Sequence, residues 1–161
     1  MDFEARAREL GLEIPDFNVT PYTGPKYGTM KSHHQVGSLL FLGGHVPEYA
    51  DGTPLHPGRV GEDVTVEQAI EAARLTALNC LAGIRFALGD LNRVRAIVRS
   101  LNFVVCVPDF YEVGRVANGA TDVFRDVFGE ERGIGGRATT GVVSLASRVC
   151  FENWLTVEVA D

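Results

Sequence analysis

Apolar residues in the middle of the chain recur at the spacing of an amphipathic helix. They begin after Thr65, which forms a T-x-x-Q capping box with Gln68, and follow one another at steps of three or four residues as far as Gly89. The positions are Ile70, Ala73, Ala77, Leu81, Ile84 and Leu88. This pattern predicts a long helix with one apolar face and a glycine at its end.

A second amphipathic helix is predicted between Phe110 and Gly129. Its apolar positions again step by three or four residues, and Asp109 and Glu112 suggest a cap at its start. A shorter helix is predicted over Met1 to Leu10, because this charged segment is followed directly by a glycine.

Four stretches have the apolar and β-branched content of strands. They are Ser38 to Gly43, Arg95 to Val107, Ala138 to Leu145 and Val149 to Val159. Only three residues separate the last two stretches, so they could pair as a hairpin. Glycine and proline are frequent before Gly37 and from Tyr49 to Gly61, and both segments are therefore predicted to be irregular.

The order of these elements predicts one α+β domain over residues 1–161. Two long helices would pack on one face of a mixed sheet, since each has one apolar face to bury. The other face of the sheet would remain apolar and bare. We therefore expect this face to be buried against further copies of the chain.

Composition narrows the classes of function. The 15 Lys and Arg residues are outnumbered by 21 Asp and Glu, and the formal net charge is -6, so we expect no nucleic-acid partner. No apolar run is long enough to cross a membrane, and we expect a soluble, cytoplasmic protein. Three widely spaced cysteines are predicted to be buried free thiols.

No metal or cofactor site is predicted. The histidines show no metal-ligand spacing and lie at His33, His34, His45 and His56. The chain has neither a G-x-S-x-G nucleophile motif nor a P-loop, and the glycine cluster at 133–136 follows a helix rather than a strand.

Three polar residues are candidates for ligand chemistry. Arg137 stands between a glycine-rich loop and an apolar strand, where its guanidinium could present a planar fork to a carboxylate. A structural ion pair is an equally open interpretation of Arg137. Glu152 is an acid inside a strand and could serve proton transfer, or could be a carboxylate at the sheet's rim. Asn118 interrupts the second helix and could simply face solvent.

Taken together, these segments resemble the RidA (YjgF-like) family. The resemblance covers about Gly37 to Ala160, so residues 1–36 form a variable N-terminal segment and 37–160 a family core. The matching stretches are GSLLFLGGHVP from Gly37, the Asp51-Gly52 turn, VTVEQAIEAARLTALNCLAGI from Val64, NGATDVFRDVFG from Asn118 and GRATTGVVSL from Gly136.

The resemblance implies a chorismate-mutase-like fold assembled as a homotrimeric barrel with pockets between neighbouring subunits. Enzymes of the family hydrolyse reactive 2-imino acids, or their enamine tautomers, to 2-keto acids and ammonia. By position, Arg137 matches the arginine that grips the substrate carboxylate and Glu152 the glutamate that positions or activates water. Asn118, Tyr27 or Tyr22, Gly44, His45 and Thr139 match pocket positions.

The chain departs from the family pattern at several of these positions. Gly43-Gly44-His45 stands where many members have Ser-Gly-Gln, and Thr139 stands where a cysteine is common. Asn153-Trp154 replaces the usual Ile-Glu after Glu152, and another alignment would give the glutamate's role to Glu158. We expect Trp154 to lie near a subunit boundary or at the mouth of the pocket.

Three functions follow from these observations. A hydrolytic deaminase of small imino or enamino acids is the first. The second is a protein that only binds a carboxylate metabolite, because Gly43 and Asn153 replace polar family groups. The third is an endoribonuclease, a function named for some relatives, against which the negative charge argues.

Overall fold

A computed structural model of the chain describes residues 1–22 and 27–160, and these form one sheet covered by helices. In chain order the helices are α1 (Phe3–Glu9), α2 (Val66–Leu88), α3 (Val113–Phe128) and α4 (Glu130–Gly133). The strands are β1 (His33–Val36), β2 (Leu39–Leu42), β3 (Val94–Val105), β4 (Gly136–Val142) and β5 (Phe151–Val159). The predicted α+β class is confirmed.

The helices begin and end largely where the sequence pattern predicts. The capping box of α2 is formed, with the Thr65 side chain accepting from the Gln68 N–H, and Gly89 ends the helix in the left-handed conformation at φ 79°. The predicted cap of α3 is wrong. That helix begins at Val113, and Glu112 before it makes no side-chain capping hydrogen bond.

The strands form a mixed sheet in the order β1-β2-β5-β3-β4. Only β3 and β4 run parallel, as expected for strands joined by a helical crossover, here α3. Strand β1 was not predicted. It pairs with β2 across the Gly37-Ser38 turn, where Gly37 has φ 56°. Three of its four residues are polar, so the sequence shows no alternation of apolar and polar positions there.

The predicted hairpin between the last two strands is wrong. β5 lies between β2 and β3, so β3 separates it from β4. The connection crosses the end of β3, where the Val105 N–H donates to the Cys150 carbonyl at 2.9 Å. Ser147 and Arg148 turn the chain there with φ values of 55° and 59°, which is the left-handed conformation. The short distance in sequence between the two strands predicted a hairpin and gave no sign of this turn.

The core lies between the helices and one face of the sheet. Alternate residues of β5 are buried there, from Phe151 to Val159, and the three cysteines are buried and free as predicted. On the other face, Phe41, Val98 and Trp154 are 42%, 42% and 49% exposed. The sheet is thus covered by helices on one side and apolar on the other, and this second face carries one of the candidate residues.

Candidate functional site

Arg137 lies near the start of the edge strand β4 and reaches across to α3. Its Nη1 donates to Asn118 Oδ1 at 2.7 Å and to Thr121 Oγ1 at 3.1 Å. Asn118 and Thr121 are three residues apart and therefore lie on the same face of the helix. Two neutral side chains thus hold one end of an exposed guanidinium.

The charge of Arg137 has no acidic partner in the part of the chain that the structure describes. Its hydrogen bonds go to an amide and a hydroxyl, and no carboxylate oxygen of residues 1–22 or 27–160 lies within 4.0 Å of it. The structure therefore does not show Arg137 in a structural ion pair with any of the described residues. Nε and Nη2 make no hydrogen bond to the described residues, which leaves one edge of the fork for a ligand.

Thr139 lies on the same face of β4 as Arg137, two residues further along. Its Oγ1 is buried and has no hydrogen-bond partner among the described residues. Between them, the Ala138 carbonyl accepts a hydrogen bond from Asn102 Nδ2 at 3.3 Å, and Asn102 itself accepts from Asn153 Nδ2 at 2.7 Å. A buried pair of amides therefore ties the Arg137 segment to the centre of the sheet.

Glu152 lies at the start of β5 on the sheet face that the helices leave uncovered. Its Oε1 accepts a hydrogen bond from the Trp154 indole N–H at 2.6 Å. The carboxylate rests against Gly44, where an added Cβ would overlap Oε1. Glu158 lies six residues along the same strand, opposite Leu39 and Ala96.

Arg137 and Glu152 project from opposite faces of the sheet. Arg137 is in register with Ser100 and Glu152 with Phe103, and residues three apart on one strand point to opposite sides. The contacts agree, because Arg137 meets α3 while Glu152 meets Trp154 on the face without helices. One chain therefore does not bring the two predicted functional residues together.

His45 is fully buried, in contrast to the predicted role in ligand binding. Its Nδ1 donates to the Gly43 carbonyl at 2.7 Å, and its Nε2 faces Gly83 of α2 without a described hydrogen-bond partner. Burial lowers the pKa of His45 to about 4, so the ring is neutral at pH 7. The ring occupies the helix side of the sheet, which leaves no exposed atom to contact a ligand.

Both candidate tyrosines line the same cavity of about 250 Å³. Tyr22 stacks on His45 with ring centroids 4.3 Å apart, and its hydroxyl donates to the Gly44 carbonyl at 2.8 Å. The Tyr27 hydroxyl donates to Glu48. Burial is the main cause that raises the pKa of both phenols, so both stay protonated.

Three contacts around these residues were not predicted from the sequence. Thr121 holds Arg137, the Trp154 indole holds Glu152, and Glu48 is a buried carboxylate facing Tyr27. The three-residue spacing between Asn118 and Thr121 could have identified Thr121. The other two contacts depend on how the strands pair and on the course of the loops, and neither gives a recognisable pattern in the neighbouring sequence.

Replacing Thr121 with valine tests its contact with Arg137. Valine has nearly the same shape but cannot accept the hydrogen bond from Nη1, so we expect the affinity for a carboxylate ligand to fall about two- to tenfold. Isothermal titration with pyruvate or a related keto acid measures this loss, and Thr121→Ser serves as the matched control because it keeps the hydroxyl. Equal affinities of the wild type and Thr121→Val would contradict a role for this contact.

The described residues show no sign of a metal site or of a membrane-spanning helix. The described residues contain no cluster of three His, Cys, Asp or Glu side chains that could hold a metal ion. No helix among them is long and apolar enough to cross a bilayer.

The fold and its exposed arginine define a class of α+β proteins in which helices cover one face of a mixed sheet and an arginine lies on the edge strand. Residues 4–155 match the model of a family described as "YjgF/chorismate mutase-like, putative endoribonuclease". The chain therefore belongs to the YjgF/Rid family.

The chain is also similar to individual proteins over nearly its whole length. Protein TCP17 of Trypanosoma cruzi is 39% identical over 96% of this chain and 92% of its own length. The crystal structure of Atu1372 from Agrobacterium tumefaciens, a protein of unknown function, is 34% identical with a TM-score of 0.85 over 98% of this chain and 94% of that one. A "putative endoribonuclease" from Shewanella oneidensis is 28% identical with a TM-score of 0.88, covering 99% and 100% of the two chains.

Proposed function

We propose that this protein hydrolyses small 2-imino acids, or their enamine tautomers, to 2-keto acids and ammonia. The observation that carries the proposal is the Arg137 guanidinium, which is exposed, is oriented by two neutral side chains and has no acidic partner among the described residues. A fixed, unneutralised arginine is suited to bind a carboxylate. The family resemblance supplies the rest of the substrate, a reactive C=N group beside that carboxylate.

In the proposed mechanism, Arg137 binds the substrate carboxylate through Nε and Nη2. Nη1 is engaged by Asn118 and Thr121, so the remaining edge has a fixed direction. Gly114 lies beside this edge, where an added Cβ would be 3.7 Å from Nη2, an ordinary contact distance. A charge-assisted contact of this kind contributes about 1.5 to 3 kcal/mol.

Glu152 then positions the water that attacks the imine carbon. The carboxylate takes a proton from the water as the new C–O bond forms, which gives a carbinolamine. The same group returns the proton to nitrogen, and the C–N bond breaks as ammonia leaves. The hydroxyl proton passes to the Glu152 carboxylate as the C=O bond of the keto acid forms, and release of this proton to solvent restores the carboxylate. A protonated imine is already electrophilic, so the protein's main contribution is the placement of water and substrate.

The site is completed by a second copy of the chain in this proposal. Arg137 and Glu152 lie on opposite faces of one sheet, so a pocket that contains both needs Arg137 from one subunit and Glu152 from a neighbour. The apolar face around Glu152 supports such an assembly, because Phe41, Val98 and Trp154 would otherwise stay exposed. We propose a homotrimer with three shared sites.

Mixed assemblies test both the reaction and the shared site. Ammonia release is measured on 2-iminopropanoate generated by an amino-acid oxidase, with wild type, Arg137→Ala, Glu152→Gln and an equimolar mixture of the two variants refolded or coexpressed. We expect each variant alone to be nearly inactive. The mixture should regain about a quarter of the wild-type rate, because random assembly gives about one site in four both native residues.

Three results would contradict the proposal or its shared site. A wild type that accelerates no ammonia release, while it binds keto acids, would favour the protein that only binds a carboxylate metabolite. Salt-dependent cleavage of RNA would favour an endoribonuclease, although the net charge of -6 opposes polyanion binding. A mixture no more active than its components would show that the two residues do not share a site across subunits.

A further inference from the structure

The Trp154 indole is hydrogen-bonded to the Glu152 carboxylate. In the proposed function this carboxylate positions the hydrolytic water. Trp154 follows Glu152 by two residues on β5, so both side chains project from the uncovered face of the sheet. The indole N–H donates to Glu152 Oε1 at 2.6 Å. A short hydrogen bond to a carboxylate is stronger and more directional than one between neutral groups.

Two neighbours fix this pair in position. The indole packs against the Phe103 ring, with centroids 5.1 Å apart and planes at 57°, and Phe103 is the register partner of Glu152 on β3. On the other side, Gly44 leaves no room for a side chain, because an added Cβ would overlap Glu152 Oε1 and lie 3.0 Å from the indole nitrogen. The carboxylate is therefore confined between the Gly44 backbone and the indole.

We propose that Trp154 is a positioning residue for Glu152. With Oε1 held by the indole, the direction of Oε2 is set, and Oε2 makes no hydrogen bond to the described residues. A carboxylate with one fixed oxygen can hold water with the other at one place relative to a substrate. The inference rests on the proposed function, because it assigns Trp154 a role through the water-positioning carboxylate.

A purely structural role for Trp154 has different consequences. An aromatic ring that only fills space between subunits can be replaced by phenylalanine at little cost to a reaction step. A ring that positions Glu152 cannot, because phenylalanine keeps the contact with Phe103 but has no N–H. The space-filling role and the positioning role therefore predict different kcat values for Trp154→Phe. Both roles allow this variant to assemble as the wild type does.

The test combines spectroscopy and kinetics. Trp154 is the one tryptophan of the chain, so the indole N–H gives a single cross-peak in a proton–nitrogen correlation spectrum. We expect this peak far downfield and slow to exchange in the wild type, and shifted upfield in Glu152→Ala. In Trp154→Phe we expect kcat for ammonia release to fall about tenfold with KM within about twofold, as for loss of one hydrogen bond to a charged group.

The outcomes distinguish this inference from the proposed function. The indole spectrum needs no substrate, so an unshifted peak in Glu152→Ala overturns the role of Trp154 even if the enzyme is active. An unchanged kcat in Trp154→Phe, in protein of wild-type assembly state by light scattering, overturns it as well. A wild type that releases no ammonia contradicts the proposed function itself.

Discussion

Arg137→Ala is expected to lower kcat/KM for imino-acid hydrolysis about a hundredfold while leaving the protein folded. The loss corresponds to about 3 kcal/mol, the upper range for a hydrogen-bonded contact with a charged group. Stability should change little, because the guanidinium is exposed and its described partners, Asn118 and Thr121, are neutral and can turn to water. Steady-state ammonia release and thermal melting measure the two effects.

Arg137→Lys is the matched variant for this prediction. Lysine keeps the charge but not the planar fork, so it cannot donate to Asn118 and Thr121 while also binding a carboxylate with two parallel hydrogen bonds. We expect hydrolysis to stay well below the wild type and melting to be unchanged. Wild-type ammonia release from Arg137→Ala would contradict the carboxylate-binding role, and a large drop in melting temperature would indicate a structural role instead.

Acidification is expected to destabilise the protein through His45. Burial lowers the pKa of this ring from 6.5 to about 4, so between these values the unfolded chain binds a proton that the folded chain excludes. Stability therefore rises with pH across that window and is lost as pH falls from 6.5 towards 4. The shift corresponds to roughly 3 kcal/mol of unfolding free energy, measured by urea unfolding at fixed protein concentration.

His45→Gln isolates this contribution. Glutamine does not titrate, so the free energy of unfolding of His45→Gln should depend less on pH between 4 and 6.5 than that of the wild type, whatever its absolute value. Burial also lowers the pKa of His33, and this ring is present in both proteins. Equal slopes in the wild type and His45→Gln would show that His45 is not a buried neutral ring.

The sequence by itself determined the elements that depend on neighbouring residues. The capping box at Thr65, the glycine at 89 and the periodic apolar positions of α2 are local signals, and the helix follows them from Val66 to Leu88. The order of segments also predicted the fold class and the family. Arg137 could be singled out as a candidate because it stands between a glycine-rich loop and an apolar strand, but the sequence alone left a structural ion pair equally open.

Only the tertiary structure decided which residues face one another. β5 joins β2 and β3 instead of forming a hairpin with β4, because pairing is chosen by contacts between residues far apart in the chain. That choice places Arg137 and Glu152 on opposite faces of the sheet and brings Trp154 to the Glu152 carboxylate. It also buries His45 against Gly83 of α2, a contact that no local pattern around either residue encodes.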